Sequence, residues 1–176
     1  MKSFLSLLLA AVLVAGAGGA HAATASATLN VSATVTANCT IATTAVAFGA
    51  YEPVSGGNVT AAGSVVVACT KSAASLWVGL SNGANYASGT RNLNGAVSSD
   101  KLAYSLLQPT SNTPGAACPA FGAGTAWTNS AGATSLALSS PAGKAARTYS
   151  VCGQLAGGQD VSVDSYADTV LATINF

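Results

Sequence analysis

The sequence predicts an all-β domain, a sandwich or a barrel, and three observations carry that expectation. First, polar and apolar residues alternate without a break from Thr24 to Asn38. A strict period of two places successive side chains on opposite faces of a strand. Second, short runs rich in Val, Leu, Ile and aromatic residues recur along the rest of the chain, with Gly, Asn, Ser and Pro between them. Third, no window combines a 3.6-residue apolar period with capping residues at both ends, so no amphipathic helix is expected.

Taken in order, the first segment reads as a secretion leader. Lys2 is followed by the apolar stretch "FLSLLLAAVLVAGAGGA" and then by Ala20-His21-Ala22, a small-x-small cleavage site. The strongly apolar part is shorter than the ~20 residues a membrane span requires. Residues 1–22 are therefore assigned to a cleaved leader, and export to an oxidising compartment follows.

The alternating run comes next, at the start of the processed chain. At about 3.3 Å per residue it would extend roughly 50 Å, well beyond the ~17–20 Å of a common strand. Its apolar face is Ala25, Ala27, Leu29, Val31, Ala33, Val35 and Ala37. Periodicity alone does not say whether this strand belongs to its own domain or to another molecule's sheet.

Seven further runs are candidate strands. "TAVAFGAYEP" is a short apolar run closed by Pro53, and "GSVVVACT" is β-branched. "SLWVGLSNG" carries Leu76, Val78 and Leu80 on one face and stops at Asn82-Gly83, a favoured hairpin pair. "DKLAYSLLQP" alternates Leu102, Tyr104 and Leu106. "TSLALSSP" and "ARTYSVCGQL" follow, and "SYADTVLATINF" ends the chain with Tyr166, Val170, Ala172, Ile174 and Phe176 on one face. The Gly- and Ser-rich stretch from Pro109 to Gly132 is expected to be a long loop, with Trp127 covering an edge of the core.

Composition narrows the chemistry. Six basic and five acidic residues are present, and loss of Lys2 with the leader brings them level. No basic patch for nucleic acid is apparent, and a surface this poor in charge favours association. The single histidine is His21, so the processed chain has none for a Ser-His-Asp or Cys-His site. Catalytic, cofactor-binding and metal-binding residues are each expected to be none, with no small-molecule substrate. The carboxylates Asp160, Asp164 and Asp168 are read as turn residues, since no calcium-loop pattern surrounds them. Cys39, Cys69, Cys118 and Cys152 match no zinc spacing. Four cysteines allow three pairings; pairing neighbours in sequence gives Cys39–Cys69 and Cys118–Cys152.

The order of motifs resembles the spore coat protein U domain, the domain of the Csu-type pilins of archaic chaperone–usher pili. The resemblance spans about Ala23 to Phe176. Its most specific part is the C-terminal block, with Gly153, Gly158, Gln159, Tyr166, Asp168, Thr169, Val170 and Phe176 at the family's positions. "FGAY" (48–51) and "GSVVVACT" (63–70) are moderately specific. Cys152 stands where the family often has an aromatic residue, Cys118 lies in a variable loop, and Ser165 replaces a common Gly. The second disulfide thus comes from the cysteine count; the family pattern does not supply it.

The resemblance implies an incomplete immunoglobulin-like β-sandwich lacking its last strand, completed by donor-strand exchange. It divides the processed chain into a donor extension, residues 23–34, and a domain, residues 35–176, whose first strand runs from about Val35 into Cys39 and Ile41. Ala25, Ala27, Leu29, Val31 and Ala33 would enter a neighbour's groove. Tyr166, Val170, Ala172, Ile174 and Phe176 would line the acceptor groove, with the Phe176 carboxylate an anchor for a chaperone's basic residue. Implied partners are identical or related pilin subunits, a periplasmic chaperone and an outer-membrane usher. The implied location is the periplasm and then a surface fimbrium of a Gram-negative bacterium, where the fibre would support attachment and biofilm formation. The alternative is a secreted surface-binding or coat protein, or a tip adhesin, using Trp127, Tyr86 and the Gly-rich loops.

Overall fold

The computed structural model describes residues 22–176; the expected leader, apart from Ala22, lies outside the described residues. The chain divides into two units at Thr34 and Val35. In the first, residues 22–34 form no strand and every one is exposed.

The second unit contains nine strands and, among the described residues, no helix. They are β1 (Cys39–Thr44), β2 (Val59–Cys69), β3 (Trp77–Leu80), β4 (Arg91–Gly95), β5 (Lys101–Leu107), β6 (Leu136–Ala137), β7 (Arg147–Leu155), β8 (Tyr166–Ala167) and β9 (Ala172–Asn175). They build a six-stranded sheet in the order β1-β2-β7-β5-β4-β8 and a three-stranded sheet in the order β6-β3-β9. Every strand pair is antiparallel.

The large sheet is built on β2 and β7, paired from Val59↔Leu155 to Val67↔Arg147. Their inward residues Val65, Val67, Tyr149 and Val151 are buried, as alternation requires of a strand with one face on the core. The small sheet contributes Val78 and Leu80 from β3 and Leu136 from β6. Two disulfides brace the large sheet: Cys39–Cys69 joins β1 to β2, and Cys118–Cys152 ties the long loop to β7.

Several expectations are corrected. The first domain strand begins its pairing at Cys39, because Val35–Ala37 have no partner strand; Asn38 is held only through Thr70, whose Oγ1 and amide it engages at 3.0 and 2.8 Å. Of "TAVAFGAYEP" only Thr44 is in a strand. Asn82-Gly83 closes no hairpin, since β3 and the following β4 lie in different sheets. Gly83 instead has φ +92°, and the carboxylate of Asp168 occupies the place a Cβ would take. Trp127 covers no edge: it is fully buried, with Nε1 donating to the Val78 carbonyl at 2.8 Å. Burial of an indole needs such a partner for its N–H. The final run is two strands in two sheets, so Tyr166 does not share a strand with Ala172 and Ile174. Asp168 makes the break: its Oδ1 accepts from the Asn85 and Thr169 amides at 3.0 and 2.8 Å, and its Oδ2 from Tyr104 Oη at 2.7 Å.

Candidate functional site

A sandwich is closed when each sheet covers the whole inner face of the other. Here six strands face three, and the deficit falls beside β9. β9 pairs with β3 through Leu80↔Ala172 to Trp77↔Asn175, and its other edge has no strand. Opposite it, β1 pairs with β2 on one side only.

Beyond β1 the chain runs on as Ala45–Ala50 without a strand partner or any backbone–backbone hydrogen bond among the described residues. Val46 and Phe48 nevertheless seat on the large sheet, because Gly153 on β7 has no Cβ to displace them. Phe48 meets Tyr104 edge-on, with ring centroids 6.1 Å apart. Across the gap, residues 168–171 spend their backbone on the other side: Thr169 and Leu171 carbonyls accept from Ala84 and Ser81 at 3.0 and 2.8 Å.

Between these two walls lies a cleft. Its inner part has a volume of about 300 Å³, with Val46, Phe48, Val170 and Ala172 at its sides and Val65, Leu106 and Val151 of the core in its lining. A second cavity of about 660 Å³ is bounded by Tyr51, Pro53, Leu93, Leu102, Leu155 and the segment Val161–Asp168. Val46, Phe48, Leu93 and Asp168 belong to both, so the two are one trench. Ile41, Val46, Phe48, Leu93, Val170, Ala172 and Ile174 pack against the core yet stay partly exposed. An apolar trench with unpaired backbone along its walls is a template for an added strand.

One polar feature crosses its middle. Tyr104 Oη donates to Asp168; burial, then this bond, push the phenol well above its usual range. Behind it, the buried Arg91 guanidinium donates to the carbonyls of Leu80, Ser81 and Trp127, with Nη2 distances of 3.2, 2.6 and 2.7 Å. Burial lowers its pKa from the usual arginine value. Asp164 accepts from the Val97 and Ser98 amides at 2.8 and 2.7 Å, which lower its carboxyl to about 2. Asp100 accepts from the Ser162 amide at 2.8 Å and is likewise lowered. These carboxylates act as loop clamps, and no group of three His, Cys, Asp or Glu able to hold a metal occurs among the described residues.

Of the expected groove residues, the structure brings Tyr166, Val170 and Ala172 into the trench, while Ile174 packs on the core beside it. Phe176 lies outside, 56% exposed. The expected donor residues Ala25, Ala27, Leu29, Val31 and Ala33 are all exposed, Leu29 at 85% and Val31 at 87%. Sequence reasoning missed Val46 and Phe48 as a wall and Tyr104 as part of the floor. The "FGAY" motif was the available signal for Phe48.

Fold and site together define an all-β domain of two antiparallel sheets with an unpaired edge beside β9. The profile of the Spore Coat Protein U domain matches residues 25–173, and the chain belongs to that family. No curated protein matches it. Among solved structures it is similar to a chain in the crystal structure of the CsuC-CsuE chaperone–tip adhesion subunit pre-assembly complex from the archaic chaperone–usher Csu pili of Acinetobacter baumannii. Identity there is 19% and the TM-score 0.48, over 81% of this chain and 40% of that one. The present chain thus spans less than half the length of that neighbour.

Proposed function

We propose that the protein is an exported structural subunit of a chaperone–usher surface fibre, assembled by donor-strand complementation. The observation that carries this reading is the trench: Val46, Phe48, Leu93, Val170 and Ala172, packed against the core, stay partly exposed between two unpaired backbone edges. Residues 23–34 of a second copy have the matching form. About twelve residues at 3.3 Å each extend roughly 40 Å, enough to run the length of the opposing wall. One face of that segment, Ala25, Ala27, Leu29, Val31 and Ala33, fills the cleft, and the other meets water. Leu29 and Val31 contribute most, about 1.5–3 kcal/mol each on full burial. A slip of one residue turns both to solvent, so register is set by the apolar face.

Before assembly the same trench needs a temporary strand, which is the role of a periplasmic chaperone; an outer-membrane usher then exchanges chaperone for subunit. Function on this reading is polymerisation on the cell surface, in support of attachment and biofilm formation, without catalysis. The test is an unboiled, non-reducing SDS gel of the chain co-expressed with chaperone and usher. A detergent-resistant ladder is expected, and its loss in Leu29→Asp/Val31→Asp. Secreted, disulfide-bonded monomers from both chains would reject the donor assignment in favour of a secreted binding protein.

A further inference from the structure

The exposed charged side chains of the domain are sorted to its two ends, with Arg91 and Asp168 between them. At the end holding Cys39–Cys69, Lys71 is separated from β2 only by Thr70, and the Ser72 amide donates to the Pro141 carbonyl at 3.0 Å. That bond brings the β6–β7 loop, with Lys144, to the same end. Arg147 opens β7 opposite Val67, but its guanidinium is turned inward over Tyr149, with Nη1 donating to the Ser139 carbonyl, so the exposed cations of this end are the two lysines. Lys71 and Lys144 are exposed. Among the described residues, no acidic side chain is found there.

At the other end three loops converge. Tyr51 Oη, in the β1–β2 loop, donates to the Ala156 carbonyl at 3.0 Å. Asp164 clamps the β4–β5 turn at Val97 and Ser98, and Asp100 of that turn accepts from Ser162. These loops carry Glu52, Asp100, Asp160 and Asp164 against the single cation Lys101. Asp168, the remaining acid, lies in the crossover between β8 and β9.

We infer that the two ends are complementary faces of one head-to-tail contact: the Lys71/Lys144 end of one copy docks on the Glu52/Asp100/Asp160/Asp164 end of the next. This rests on the donor-strand reading and adds its direction and its electrostatic partner. The chain enters the domain at the basic end, where Asn38 is bonded to Thr70. The trench opens toward the acidic end, where Pro53 and Val161–Asp164 line it. The small sheet is antiparallel throughout. A strand added to β9 in the same sense runs from the basic to the acidic end and leaves at the acidic end. Its own domain, beginning within a few residues, then presents basic to acidic. Parallel insertion would bring basic against basic, and like charges in contact oppose docking. Charge therefore selects the antiparallel register, and between surfaces this lightly charged it acts mainly on the rate of encounter.

The test uses the full chain with its chaperone and follows growth of detergent-resistant multimers at low and high sodium chloride. Raising salt from about 20 mM to 0.5 M is expected to slow growth about tenfold, as screening shortens the reach of the charges. Lys71→Glu/Lys144→Glu slows it at low salt, Glu52→Lys/Asp160→Lys does likewise, and the four changes combined restore much of the loss. Circular dichroism and intact disulfides show that each variant is folded. Growth of Lys71→Glu/Lys144→Glu at the wild-type rate, or a combined variant slower than either parent, overturns the pairing of ends while leaving the donor strand intact. A wild-type chain that forms no ladder overturns both.

Discussion

The two sheets of the sandwich are made from the same kinds of residue and differ in how fully their strands are paired. In the large sheet β2 and β7 each have neighbours on both sides, and Val65, Val67 and Tyr149 are wholly removed from water. In the small sheet β6 has two residues, β3 and β9 four each, and every residue of β9 is only half buried. Hydrophobic burial is roughly proportional to the apolar area covered. Val170 and Ile174 therefore carry stabilisation that the isolated domain does not collect, whereas Val65 and Val67 have none left to gain. A second strand from outside raises the first pair toward the second.

The largest effect should come from the residue that joins the sheets. Trp127→Ala removes a fully buried indole and leaves the Val78 carbonyl without its donor. A loss of about 3–5 kcal/mol is expected, read as a drop in denaturant midpoint. Next is the brace on the open rim. Cys39→Ser/Cys69→Ser frees β1, an edge strand paired on one side only, and should cost about 2–4 kcal/mol in the same titration.

A matched pair tests the comparison directly. Val67→Ala in the closed sheet should cost roughly 2 kcal/mol, and Val170→Ala at the trench under about 1 kcal/mol. Addition of a peptide spanning residues 23–34 should stabilise the parent by about 2.7 kcal/mol at a hundred times its dissociation constant. The same peptide should widen the penalty of Val170→Ala and leave that of Val67→Ala, which lies outside the trench, unchanged. Equal penalties without peptide would break the distinction between the sheets.

Tyr104→Phe removes the donor from Asp168 at the middle of the trench, with an expected loss of about 1–2 kcal/mol. Because the folded state raises this phenol, its contribution is complete below the ordinary tyrosine pKa of 10.0 and is lost as pH rises beyond it. The parent should therefore lose stability at alkaline pH more steeply than the Phe variant. The smallest effect is acidic. Asp164 is lowered from 3.8 to about 2, so its contribution is present above pH 3.8 and fades as pH falls toward 2. Amide exchange at Val97 and Ser98 should accelerate over that interval, and Asp164→Asn should remove the change.

Much of the fold was legible from periodicity. The buried alternation of β2, β5 and β7 is visible in "GSVVVACT", "DKLAYSLLQP" and "ARTYSVCGQL", because a strand with one wet face writes its burial into every second residue. β4 was not visible: "RNLNG" buries Arg91 and Asn92, which pattern reading assigns to the surface. Their burial depends on carbonyl acceptors supplied by Ser81, Asn85, Thr90 and Trp127. At the trench, Val170 and Ala172 could be named from the last alternating run, but the split of that run could not. It follows from Asp168 meeting Tyr104 and Asn85, residues more than sixty positions away.

What the sequence by itself determined was local: the two-residue period, the turn residues, the want of histidine after residue 21, and an alternating segment at residues 24–38 long enough to be a strand. Each of these depends on neighbours along the chain, where side-chain direction and backbone preference operate. Which edge stays open was decided only in three dimensions. It depends on six strands facing three, on Gly153 admitting Val46 and Phe48, and on Asp168 turning the last run from one sheet into the other. Strand pairing is a long-range choice, and an unpaired edge becomes definable only after every other strand has found its partner.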